Sequence, residues 1–95
     1  FYPYPVQDQN NVTIPFPDSA TYQRYRNGSG NLSLNDWRRD NVNRMIQGVQ
    51  ADLRGIKPTL RFGISPFGIW RPGNPPGVTG LDSFNAIAAD SRRWL

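Results

Sequence analysis

Arg61-Phe62-Gly63-Ile64-Ser65-Pro66-Phe67-Gly68-Ile69-Trp70-Arg71-Pro72-Gly73 joins two kinds of sequence in one run. Its first part, counted from Thr59 to Ser65, is apolar and β-branched, and Lys57-Pro58 stops whatever comes before it. That pattern predicts a buried strand over 59–65. Its second part sets Phe67, Trp70 and Arg71 between Pro66, Pro72, Pro75 and Pro76. Planar rings and a guanidinium on a stiff loop form a binding surface at low ordering cost. The same rings would also serve as plugs at the edge of a core.

Upstream of the strand lies a helix signal. Ser33 and Asp36 make a start motif in which the acid also suits the first turn. Val42, Met45, Ile46, Val49, Leu53 and Ile56 then follow at i, i+3, i+4, i+7, i+11 and i+14, one apolar stripe of a helix over 34–56. Gly55 and Pro58 end it, and Gly48 inside it marks either close packing or a weak point. Downstream, 66–81 reads as a long loop. Asp82 or Ser83 caps a second helix over 83–94, whose inner face of Phe84, Ile87, Ala88, Ser91, Trp94 and the following Leu95 is thin. Residues 1–33 read as an irregular segment. Pro3, Pro5, Pro15 and Pro17 break it, while Tyr2, Tyr4, Phe16, Tyr22 and Tyr25 make it too aromatic for a plain linker.

The connections are asymmetric. The helix-to-strand link is barely two residues, and the segments entering both helices are long. A (β/α)8 TIM barrel has short αβ turns on its stability face and long βα loops on its active face. The expected fold is therefore α/β, a partial barrel of about two βα units in which 1–33 and 66–81 are βα loops. A whole barrel needs about 250 residues, and the chain has 95. One strand cannot satisfy its own ladder and calls for parallel neighbours. The opening Phe1-Tyr2-Pro3-Tyr4-Pro5 is neither an initiator Met nor a signal peptide. Residues 1–95 are accordingly expected to be an internal fragment of one barrel domain.

Composition excludes much chemistry. The chain has no His and no Cys, so a Ser-His-Asp triad, a Cys nucleophile and a His-rich zinc site are ruled out within it. No phosphate-binding glycine motif occurs, and no apolar run approaches the roughly 18 residues of a membrane span. The reading calls for no metal and no cofactor. Net charge is +4, which raises nucleic acid as a partner, but the eleven cations are scattered and ten of them are Arg. We expect no nucleic-acid partner.

There is no Glu, and each Asp has a structural role at hand. Asp36 opens the first helix, Asp40 can pair with Arg44, Asp52 lies on the polar face, Asp82 caps, and Asp90 can pair with Arg93. Only Asp8 and Asp18 fall in a loop that could face a site, so no catalytic residue is assigned. The candidate binding residues are Tyr2, Tyr4, Ser65, Phe67, Trp70 and Arg71, from loops that would meet at one barrel face. Sugar rings suit them, having apolar faces for aromatic rings and hydroxyls for Arg and Asn. A seal at the barrel rim is the alternative for Tyr2 and Phe67.

These residues carry a resemblance. Phe62 to Gly73 resembles the signature segment of the glycosyl hydrolase-like 10 family. Tyr2-Pro3-Tyr4-Pro5 is similar to the end of that family's Asp-Asp-Tyr-Phe-Tyr-Pro-Tyr-Pro segment. Asp36-Trp37-Arg38-Arg39-Asp40-Asn41-Val42-Asn43 is similar to its first helix after the loop. Gly80-Leu81-Asp82 and Ala89-Asp90-Ser91-Arg92-Arg93-Trp94-Leu95 are similar to the next. The resemblance implies a TIM-like barrel, usually exported and often a lipoprotein, that hydrolyses glycans, including peptidoglycan strands stripped of peptides. It places the family's acidic pair just before Phe1. The expected role is thus a substrate-lining part of a glycoside hydrolase, inactive alone. A non-catalytic glycan-binding module and a small basic nucleic-acid-binding domain are the alternatives.

Overall fold

The computed structural model describes Tyr2 and residues 5–94. Three helices occur among them: α1 (Ser19–Asn27), α2 (Leu34–Ile56) and α3 (Ser83–Ala86).

The long helix falls where its stripe and caps put it. Ser33 Oγ accepts the Asp36 N–H at 3.3 Å, and Lys57 leaves the helix in an extended conformation ahead of Pro58. The stripe is covered only at its N-terminal half. Trp37 and Val42 are buried, whereas Met45, Val49 and Ile56 stay 56%, 40% and 78% exposed. Gly48 has nothing within 4 Å of the place a Cβ would take, so it is a weak point and not a close contact.

The expected irregular segment 1–33 contains α1. This helix buries no residue of its own, and its Asp18 N-cap makes no side-chain capping bond. It is held from outside. Tyr22 and Tyr25 lie 5.2 and 6.0 Å from the Trp37 ring. The Tyr22 hydroxyl donates to the Leu32 carbonyl at 2.9 Å, and the Tyr25 hydroxyl accepts the Leu32 N–H at 3.0 Å. The turn into α2 is thereby fixed by two phenols. Gly30 passes so close that a Cβ there would collide with the Tyr25 ring.

The expected strand over 59–65 is extended but unpaired. No β-ladder exists among the described residues, only single antiparallel bridges at Gln7–Thr13 and Arg71–Asn74. From Arg61 to Pro66 no backbone hydrogen bond reaches another described residue. A strand becomes a ladder only beside another strand. The described residues are therefore helical and irregular, not α/β. Phe62 and Ile64 do line an apolar groove of about 280 Å³ with Met45, Ile46 and Val49 of α2. The radius of gyration, 15.9 Å, exceeds the roughly 12 Å of a compact domain this long. Much of the apolar surface is left uncovered.

The expected helix over 83–94 stops after one turn. The loop over 66–81 is a loop as expected, and Asp82 caps as expected, accepting the Asn85 N–H at 3.3 Å. Ala88 then turns to φ 54°, and the Ala89 N–H returns to the Ser83 carbonyl at 2.9 Å. Residues 91–94 form turns only. The exchange is helix length for burial: Ser83, Ile87, Ala88 and Ala89 are 2–4% exposed and form the core with Trp37 and Val42.

Candidate glycan-binding site

The 83–89 turn is the hub on which three of the candidate site residues, Tyr2, Trp70 and Arg71, converge. From α2, Arg39 reaches it with a side chain that is itself buried. Its Nη1 donates to the Phe84 carbonyl at 3.0 Å and to Asn85 Oδ1 at 3.1 Å, and Nη2 donates to Asp36 Oδ1 at 2.6 Å. The guanidinium also stacks 3.8 Å from the Phe84 ring centre. The charge is buried at tolerable cost because both terminal nitrogens have hydrogen-bond partners.

From the Pro-rich loop, Trp70 meets the same ring edge to face at 5.4 Å, and its carbonyl accepts the Phe84 N–H at 3.3 Å. Trp70 Nε1 donates to Asp90 Oδ1 at 3.1 Å. Arg71 lies 4.9 Å from the Phe84 ring and 5.7 Å from the Trp70 ring, and Arg92 lies 4.7 Å from the Trp70 ring. Thus Trp70 and Arg71, singled out in the sequence, stand together. Asp90 serves the indole and does not form the expected ion pair with Arg93; only its backbone carbonyl accepts the Arg93 N–H, at 3.0 Å.

Tyr2 reaches the hub from the N-terminal side, its N–H donating to the Ile87 carbonyl at 3.0 Å. Its hydroxyl donates to Asp18 Oδ2 at 2.9 Å, and its ring packs against Phe16 at 4.9 Å. Arg38 closes the cluster, with its guanidinium 5.3 Å from the Tyr2 ring and 5.0 Å from the Phe16 ring. Hydrogen bonds from Arg38 hold the Asp18 carboxyl below the ordinary carboxylate range, outweighing the upward push of burial. Burial first, and the bond to Asp18 second, push the Tyr2 hydroxyl up to about 12. This makes Tyr2 an anchoring residue with its polar tip already spent.

The other candidates fare differently. Ser65 is exposed on the extended segment and Phe67 is 46% exposed just beyond it. Tyr4 lies outside the described residues. Asp8 and Asp18, the two acids in a loop that could face a site, are both engaged locally. Asp8 accepts the N–H groups of Asn10 and Val12 at 2.8 and 3.1 Å, tying a turn, and Asp18 belongs to Arg38. Asp36 is held below its usual range by bonds from Arg39 and Ser33, and Asp40 pairs with Arg44 at 3.0 Å. No group of three or more potential metal-ligating side chains exists among the described residues. Trp70 and Arg71 are thus half-buried and Arg92 exposed, while the carboxylates of Asp8, Asp18, Asp36, Asp40, Asp82 and Asp90 are engaged within the chain.

Residues 5–95 match the family model described as Glycosyl hydrolase-like 10. The chain belongs to the glycosyl hydrolase-like 10 family. Over its whole length it is 37% identical to the glycosyl hydrolase YngK of Bacillus subtilis, of which it covers 18%. Over 82% of its length it is 38% identical to the glycosyl hydrolase DigH of Escherichia coli K12, again covering 18% of that protein. The chain therefore spans under a fifth of the curated relatives it matches. No solved structure matches it. No helix among the described residues is long and apolar enough to cross a membrane.

Proposed function

We propose that this member of the glycosyl hydrolase-like 10 family is a substrate-lining part of a glycoside hydrolase. It binds a polysaccharide, with bacterial wall glycan as the favoured substrate, and takes its catalytic carboxylates from elsewhere in the polypeptide. The observation that carries this reading is the Trp70–Arg71 pair. An indole and a guanidinium stand side by side on a Pro-fixed loop, directly beyond an extended segment. Loop residues just past a strand end are where barrel enzymes bind substrate.

Two further observations support it. The unpaired backbone from Arg61 to Pro66 and the apolar groove over Phe62 and Ile64 have the character of a barrel strand awaiting parallel neighbours. The carboxylates of Asp8, Asp18, Asp36, Asp40, Asp82 and Asp90 are all engaged by hydrogen bonds or ion pairs. Glycoside hydrolysis generally uses two carboxyl groups flanking the bond. A (β/α)8 barrel acting outside the cytoplasm is the setting we assign to it.

The test uses the full reading frame that encodes this chain. Trp70→Ala and Arg71→Ala are compared with the parent for melting temperature and for affinity to wall glycan strands. Weakened glycan binding with a small loss of stability is expected. Unchanged affinity with a large loss of stability would make both residues structural plugs. Binding without any turnover in the parent would favour a non-catalytic glycan-binding module.

A further inference from the structure

Of the cations among the described residues, three are in ion pairs: Arg38 with Asp18, Arg39 with Asp36, and Arg44 with Asp40. Most of the others are exposed, where water solvates them. Arg71 differs. It is half-buried, has no ion pair with another described residue, and packs on the Phe84 and Trp70 rings. Arg92, also without an ion pair, comes to the same indole from a position 21 residues further along the chain. Both guanidiniums lie within 6 Å of one indole, and ring faces return only part of the solvation a half-buried guanidinium loses. Asp90, the acid of this cluster, accepts the neutral Trp70 N–H, keeps its charge and forms no ion pair with another described residue. Two guanidiniums against one carboxylate leave the cluster short of one negative charge.

We propose that Arg71 and Arg92 form a receptor for a carboxylate carried by a sugar that packs at Trp70. The proposal rests on the glycan reading above and makes it narrower: the site selects acidic over neutral saccharides. A guanidinium presents a planar fork of N–H donors, which matches a carboxylate in two parallel bonds. Trp70 holds the guanidiniums at the edge where the sugar packs, and the Asp90 bond fixes the indole so that little order is lost on binding.

The experiment measures affinity by calorimetry, using the full-length protein that carries this chain. The probes are oligosaccharides from wall glycan freed of peptides, with their carboxylates intact, and the same oligosaccharides with every carboxylate converted to a methyl amide. The carboxylate form is expected to bind about tenfold tighter at low salt, and the gap is expected to shrink as salt is raised. Arg71→Gln and Arg92→Gln are each expected to remove most of that gap, the carboxylate form losing more affinity than the amide form. Arg71→Lys and Arg92→Lys keep the charge and lose the fork, so they retain only part of it. Melting temperatures identify any variant that fails to fold, in which case the Lys variant decides. Equal affinity of the parent for both probes overturns the carboxylate receptor and leaves the glycan reading standing. A gap that survives in every Arg variant does the same. Binding of neither probe overturns both.

Discussion

Arg38 grips Asp18 with two parallel hydrogen bonds, Nε to Oδ2 at 2.7 Å and Nη2 to Oδ1 at 2.8 Å. The two residues are 20 positions apart, and their side chains are only 15% and 16% exposed. The pair ties the entry of α1 to the first turns of α2, and Tyr2 hangs from its carboxylate. Arg38→Ala would leave a half-buried carboxylate without its cation and is expected to cost about 2–3 kcal/mol. Arg44→Ala, which breaks the solvent-exposed pair with Asp40, is expected to stay within about 0.5 kcal/mol. Denaturant midpoints of the two variants in the full-length protein make the comparison; equal losses would show that the Arg38 fork has no special weight.

The same cluster sets a pH dependence at both ends. The Asp18 carboxyl is held below its unfolded value, chiefly by Arg38. Its stabilisation is complete above the ordinary carboxylate range and is lost as pH falls through the depressed value. The Tyr2 hydroxyl is pushed up to about 12, so the unfolded chain releases that proton first. Its stabilisation is complete below about 10 and is lost as pH climbs towards 12. Tyr2→Phe is expected to flatten the alkaline limb of a stability–pH curve while the acid limb persists. A curve unchanged by Tyr2→Phe between pH 9 and 12 would contradict the buried phenol.

Two glycines should respond in opposite directions. At Gly30 a Cβ would run into the Tyr25 ring, whose hydroxyl fastens Leu32. Gly30→Ala is expected to cost about 1–3 kcal/mol through overpacking. Gly48 sits inside α2 with open space around it, so Gly48→Ala is expected to gain about 0.5–1 kcal/mol of helix propensity. Thermal melts of the two variants decide this, and destabilisation by Gly48→Ala would mean that a neighbour covers that point of the helix.

These contrasts explain what the sequence could and could not tell. The α2 helix was legible because its signals are local: a Ser33–Asp36 cap and an apolar stripe with helical period. The α1 helix has no such stripe and exists because Tyr22 and Tyr25 find Trp37, a contact no periodicity announces. The segment after Ala86 reads as a helix in Ser and Ala, but burying Ile87, Ala88 and Ala89 turns Ala88 out of the helical region. Trp70 and Arg71 were legible as a pair on a Pro-fixed loop. Arg92 was not, because a helical reading of 83–94 gave it no reason to approach the indole. Asp18 and Arg38 sit in segments that looked unrelated.

The segment from Arg61 to Ser65 gives the sharpest test of how the chain sits in a larger protein. Its backbone has no hydrogen-bond partner among the described residues, and the groove beside it is lined by Met45, Ile46, Val49, Phe62 and Ile64. An extended segment in that state should exchange its amides almost as freely as an unfolded one, and the bare stripe of α2 should bind a hydrophobic dye. In the full-length protein, parallel neighbours would occupy both edges and cover the groove. The amides of Arg61 to Ser65 are then expected to slow by at least about a hundredfold relative to the isolated 95-residue chain, with loss of dye binding. Phe62→Ala and Ile64→Ala would then each cost about 2–5 kcal/mol in the full-length protein, while doing little to the isolated chain. Hydrogen exchange followed by mass spectrometry on both polypeptides settles the matter. Fast exchange over these residues in the full-length protein would mean that the segment is a surface connection and that no barrel is built on it.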